Sequence, residues 1–95
     1  MASQRVERDF PGKTSREIFD RAAAVIEEIS GRYSLKHRPE SAALSGRVSR
    51  AGVEGRYGVA GERLTVDLEF GFLIPGMVRE RVREEIAKRL DRLFP

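Results

Sequence analysis

The chain has 95 residues, 40% of them apolar, and a net charge of +3 from 18 basic and 15 acidic side chains. That length supports one domain, residues 1–95, which buries only about 60–70% of the surface its unfolded chain exposes. Cysteine is absent, which excludes disulfides, thiolate zinc sites and a thiol nucleophile.

The first ten residues carry Arg5, Glu7, Arg8 and Asp9 and lack the apolar run of a signal peptide, and the longest apolar run, Phe72 to Ile74, is far too short to span a membrane. A cytoplasmic location is therefore expected. Val6 and Phe10 flank Arg8 in an alternation that predicts a short edge strand over Arg5–Phe10. Pro11 and Gly12 turn the chain, and Thr14 followed by Glu17 has capping-box spacing. A helix should follow, with Ile18, Phe19, Ala22, Val25, Ile26 and Ile29 on its apolar face and Gly31 as its left-handed cap.

Tyr33, Leu35 and His37 alternate with polar residues, predicting a second strand that Pro39 ends. A third strand is expected from about Ala42 to Arg50, a turn at Ala51-Gly52, a fourth strand carrying Val53, Gly55, Tyr57 and Val59, and a turn at Ala60-Gly61. Gly46, Gly55 and Gly58 inside these strands mark bulges or close approaches, and the simplest expectation is that they let a small sheet curl. Leu64, Val66, Leu68, Phe70 and Phe72 then alternate strictly, the signature of a strand with one buried face. Past Pro75, which suits a helix start, Val78, Val82, Ile86, Leu90 and Leu93 form an apolar stripe along roughly twenty residues, about 30 Å of helix. The expected fold is α+β: a curved antiparallel sheet of four to five strands, two helices on one face, order β-α-β-β-β-β-α, with a long C-terminal helix.

Chemistry-bearing motifs are incomplete. Gly12-Lys13-Thr14 imitates the end of a phosphate-binding loop, but Glu7 stands where that loop needs its first glycine. His37 is the only histidine, with no motif supplying a nucleophile beside it, and it reads as a partly buried strand-end residue with a local hydrogen bond. Asp67 and Glu69 share the wet face of their strand as solvent-facing charges. No catalytic residue, metal ligand or cofactor is assigned, and a non-enzymatic module is expected.

Fifteen of the 18 basic residues are arginine, Lys13, Lys36 and Lys88 being the others. Arg32, Lys36, Arg38, Arg47, Arg50, Arg56 and Arg63 can gather on the outer sheet face and its loops, and Lys13, Arg47, Arg56 and Arg63 are candidate anion contacts. No aromatic residue is interleaved there for base stacking, so a nucleic-acid or polyanion surface is the alternative reading rather than the first. The first reading rests on an apolar surplus at the strand-to-helix junction: Phe70, Phe72, Leu73, Ile74 and Met77 exceed what alternation requires and are candidate ligand or interface residues.

At this junction the chain resembles a small bacterial family, the polyhydroxyalkanoic acid system proteins, and more distantly the helix-grip, START-like lipid-binding folds. The resemblance lies in the order of elements, the length, and Phe70-Gly71-Phe72-Leu73-Ile74-Pro75 leading into the helix from Val78 to Leu93. Where family members often carry a His-x-Leu element near the N-terminus, this chain has Asp9-Phe10-Pro11. The resemblance implies association with polyester granules and no catalytic residues. A hydrophobic ligand, a granule surface or a second copy of the chain would be the partner.

Overall fold

The computed structural model describes residues 2–71 and 73–94. Its elements are β1 (Ala2–Asp9), α1 (Ser15–Tyr33), β2 (Lys36–Glu40), a 3-10 turn (Ser41–Ala43), β3 (Ser45–Arg50), β4 (Val53–Ala60), β5 (Arg63–Phe70) and α2 (Gly76–Asp91). The strands form one antiparallel sheet in the order β1-β5-β4-β3-β2, and the α+β arrangement with a C-terminal helix is the expected one. Because β1 and β2 lie at opposite edges, α1 must carry the chain across the whole sheet. Its 19 residues reach about 28 Å, against about 19 Å for four inter-strand spacings, so one helix suffices for the crossing.

Alternation decides which face those helices cover. Val6, Val48, Tyr57, Leu64, Val66, Leu68 and Phe70 point to one side and are buried against Ile18, Phe19, Ala22, Ile26 and Ile29 of α1 and Ile86 and Leu90 of α2. The opposite sheet face is open to solvent. Thr14 caps α1 as its spacing predicts: its hydroxyl accepts from the Glu17 N–H while the Glu17 carboxylate accepts from the Thr14 N–H. The Gly-Lys-Thr triplet is thus a helix entry, with the Gly12 N–H held by Glu62 and the Lys13 ammonium over the Phe94 ring.

Several boundaries differ from the sequence expectation, each for a tertiary reason. β1 begins at Ala2, because all of Ala2–Asp9 finds partners along β5. α1 does not stop at Gly31 but runs to Tyr33, with Ser34 in the left-handed conformation. Glycine inside a helix costs about 1 kcal/mol, and the last turn is held by the Tyr33 hydroxyl donating to Glu85 and by Arg50 donating to the Tyr33 carbonyl. Tyr33 and Leu35 therefore precede β2 rather than opening it. Pro39 lies within β2, which an edge strand permits because its outer side needs no ladder hydrogen bond. Ala42 and Ala43 belong to a tight turn closed by Leu44 in the left-handed region, not to a strand.

The strand glycines divide by cause. A Cβ at Gly46 would lie 2.4 to 2.6 Å from the Tyr57 ring, and one at Gly55 would lie 2.6 Å from Val48 Cγ2. Both are imposed by a neighbouring side chain lying flat on the strand, not by a need for the sheet to curl. A Cβ at Gly58 meets only ordinary contacts, 3.7 Å from Ser45 Cβ and 3.8 Å from the Leu44 carbonyl oxygen, so packing does not require glycine there. Gly46→Ala should lower unfolding stability by about 1–3 kcal/mol, read as a reduced urea midpoint with unchanged slope, because the Tyr57 ring must leave its rotamer.

Candidate functional site

The junction after β5 is built by three local constraints. The Gly71 N–H donates to the Gly52 carbonyl at 2.8 Å, tying the strand end to the β3–β4 turn, and the Ile74 N–H donates back to the Gly71 carbonyl at 3.0 Å. Ile74 then lies against Gly52, half-buried, where a Cβ on that glycine would be 3.3 Å from its Cδ1. Pro75 opens α2, its carbonyl accepting from Val78 and Arg79, while the Arg79 guanidinium donates to the Ile74 carbonyl at 2.9 Å. With Ile74 turned inward, its neighbours in the turn face out.

Leu73 is 82% exposed, Met77 78% and Val78 46%; they are the exposed large hydrophobics among the described residues, and they fall within six positions of one another. Of the candidates read from the sequence, Leu73 and Met77 are thus exposed, and Ile74 between them in the chain is half-buried against the core. Phe70 does not join them. It is 1% exposed and belongs to the core, because strict alternation carries it to the helix-covered face. Phe72 lies outside the described residues. The spacing of Val78 predicts a place in the packing stripe of α2, yet the helix buries Ile86 and Leu90, and Val82 and Ala87 in part, leaving Val78 exposed. The helix is 16 residues, about 24 Å, and its first turn projects beyond the core it was expected to cover.

A family model described as "Putative polyhydroxyalkanoic acid system protein" matches residues 12–94. The chain belongs to this family. The match takes in both helices, β2 to β5 and the junction, with β1 lying before it. No curated protein and no solved structure matches the chain.

In this family member the space between helices and sheet is nearly filled. The enclosed apolar cavity there, lined by Ile26, Ile29, Ser30, Tyr57, Leu68 and Ile86 among others, measures about 30 Å³. Small-molecule sites occupy about 300–1,000 Å³, so this cavity is too small for an acyl chain. No helix among the described residues is long and apolar enough to cross a membrane.

Beneath β2 lies a polar cluster. His37, with its side chain 4% exposed, has Nδ1 at 2.5 Å from Glu27 and Nε2 at 2.6 Å from the Tyr57 hydroxyl. The Glu27 carboxylate can only accept, so Nδ1 donates to it, and in the neutral imidazole Nε2 then accepts from the phenol. The line resembles a relay but lacks a reactive end. Tyr57 is 4% exposed, stacked on Phe19 at 6.1 Å, and burial pushes its phenol up to about 12, with the Glu27 charge adding to the shift. A phenol so reluctant to ionise is a poor nucleophile, and the cluster joins α1, β2 and β4 as a structural clasp.

The candidate anion contacts separate into neutralised and free groups. Arg63 pairs with Asp9 at 2.9 Å and Glu7 at 3.3 Å, an arrangement that also holds the Asp9 carboxyl below its usual range. Lys13 is committed to Phe94. Arg32 pairs with Glu85 on the helix side, and Arg50 reaches the Tyr33 carbonyl, so neither joins the open face. Arg47 and Arg56 remain, directly opposite each other on β3 and β4.

The Tyr57 shift carries a pH consequence. The unfolded chain loses this phenolic proton near pH 10 and the folded chain only near 12, so the stabilisation is complete below pH 10 and is lost as pH rises through 12. The unfolding free energy from urea titrations should fall across that window by on the order of 1–2 kcal/mol, and Tyr57→Phe should flatten the fall while lowering stability at neutral pH.

Proposed function

We propose that this chain is a non-enzymatic binding module of a cytoplasmic polyhydroxyalkanoate system, docking on the hydrophobic surface of the polyester granule through Leu73, Met77 and Val78, with Ile74 as their support. The observation that carries the reading is the confinement of the exposed large hydrophobics, among the described residues, to the junction of β5 and α2. Three properties support a surface partner over an enclosed ligand. The turn stands at the end of a strand and the start of a helix, where side chains project instead of lining a cleft. The interior cavity is about 30 Å³. The family description concerns a polyhydroxyalkanoate system.

Each of these side chains contributes about 1.5–3 kcal/mol when fully buried, against an association cost of several kcal/mol. One copy therefore attaches weakly and reversibly, and a surface offering many equivalent sites suits such a module. The Gly52–Gly71 hydrogen bond and the Arg79–Ile74 contact fix the turn beforehand, so little ordering entropy opposes attachment.

Leu73→Asp and Met77→Asp change exposed positions and should leave the fold and its unfolding midpoint within about 0.5 kcal/mol of the parent. In co-sedimentation with purified polyhydroxybutyrate granules, each is expected to reduce the bound fraction several-fold and the double variant to abolish binding. Undiminished sedimentation of the folded double variant would remove the junction as the docking surface. Sedimentation velocity of parent and double variant identifies self-association through the same patch, which would replace the granule as partner.

A further inference from the structure

We infer that the open face of the sheet over β2, β3 and β4 binds the phosphodiester backbone of nucleic acid, with Arg38, Arg47 and Arg56 contacting phosphates beside a groove floored by Gly58. This surface is separate from the apolar junction and does not rest on its role.

The strand register makes the site. Arg38 is the partner of Arg47, and Arg47 the partner of Arg56, so three guanidinium groups stand in one row across three adjacent strands, spanning about 10 Å. Lys36 lies two residues along β2 on the same face. Among the described residues none of these four cations is within 4.0 Å of a carboxylate oxygen, whereas Arg5, Arg8, Arg16, Arg32, Arg63 and Arg89 all are. Asp67 stands opposite Arg56 in register, but its two carboxylate oxygens are bound by Arg5 on the other side, at 2.6 and 3.3 Å. Glu54, two residues before Arg56 on the same face, lines the second depression, and Glu40 lies two residues beyond Arg38 on β2. Like charges directly opposite on neighbouring strands destabilise a sheet. Among the described residues no salt bridge engages this row, although Asp67 and Glu54 stand beside it, so its guanidinium groups are left to pair with an external anion.

Beside the row the surface dips. A depression of about 390 Å³ runs over Gly58 between Arg56 and Arg63, with the Ser45 and Thr65 side chains flanking the glycine in register. Gly58 has no packing reason to be glycine, unlike Gly46 and Gly55, and its missing side chain is what opens the floor. A second depression of about 190 Å³ lies along Lys36, Arg38, Arg47 and Arg56. Arg56 borders both, so the two depressions adjoin, the first lined by the Ser45 and Thr65 hydroxyls and the Asp67 carboxylate and the second mainly by basic side chains.

The shape selects among anions. The trough is open and shallow, so a single small anion would stay largely hydrated, while a linear polyanion gains from each counterion it releases. An anionic membrane would press on the whole face, including Glu7, Asp9 and Glu69 on the β5–β1 half, and the sheet twist keeps the face from lying flat. A strand of phosphates can follow the basic half alone. The aromatic side chains of the described residues lie in or against the helix-side core, so bases are not stacked and recognition is blind to sequence.

Fluorescence anisotropy of the full chain with a short labelled DNA duplex over a salt series tests this. Three phosphate contacts predict a slope of log K against log salt of about −3, with a dissociation constant on the order of 10⁻⁵ M at low salt. Arg47→Gln/Arg56→Gln should bring the slope to about −1 while its melting temperature stays at or above the parent's, since it removes like-charge opposition. Gly58→Gln should weaken binding several-fold with the slope retained, and Leu73→Asp/Met77→Asp should bind DNA as the parent does. Absence of salt-dependent DNA binding, or an unchanged slope in the folded arginine double variant, overturns the proposal. Binding to phosphatidylglycerol vesicles without binding to DNA overturns it in favour of a lipid surface, and full affinity in Gly58→Gln overturns the role of the groove.

Discussion

The Tyr57 side chain is the contact on which most of the tertiary arrangement converges. Its ring lies flat over Gly46 on the neighbouring strand, stacks on Phe19 of α1, and presents its hydroxyl to His37 of β2, which in turn holds Glu27 of α1. Three strands and the crossing helix are thereby joined through one phenol. Aromatic-over-glycine packing needs an empty Cβ position on the partner strand, and the cross-strand register Gly46↔Tyr57 supplies it. Once that pairing is fixed, the period of two sends Val48, Val66, Leu68 and Phe70 to the same side, and the helices have one surface to cover.

The second helix is held differently. α2 buries Ile86 and Leu90, followed by Leu93, and its outer half is secured by polar contacts: Glu85 receives Tyr33 and Arg32, Arg89 reaches Glu28, and Arg8 of β1 reaches Asp91. These are mostly exposed pairs, each worth at most about 1 kcal/mol. Among the described residues the N-terminal turn of α2 is hydrogen-bonded to another element through the Gln4–Glu80 contact at 3.3 Å alone. A helix packed at its C-terminal half and free at its start is what leaves Met77 and Val78 exposed beside Leu73. The candidate docking surface is therefore a direct result of where α2 is tied down.

The two surfaces described for this family member have opposite chemistry and separate origins. The apolar turn arises because the sheet ends before the helix begins to pack; the basic row arises because three strands place arginine at matching register positions. Neither needs a cavity, and the one between helices and sheet measures about 30 Å³. The fold is a two-layer arrangement of one sheet and two helices, and both proposed surfaces lie on its outside.

The sequence by itself determined the fold class, the order of elements, the Thr14–Glu17 cap and the buried face of β5, because periodicity, capping and turn chemistry are local properties that neighbours in the chain enforce. It also marked the junction as richer in apolar side chains than alternation needs. Only the tertiary structure decided that Phe70 is core while Val78 is surface, because burial depends on which element lies across from a residue, and α2 does not lie across from its own first turn. In the same way Arg38, Arg47 and Arg56 became one row, and Arg63 a paired charge, only through strand register. Register is set by partners distant in sequence, and a single-chain pattern of alternation is the same for every register that preserves its parity.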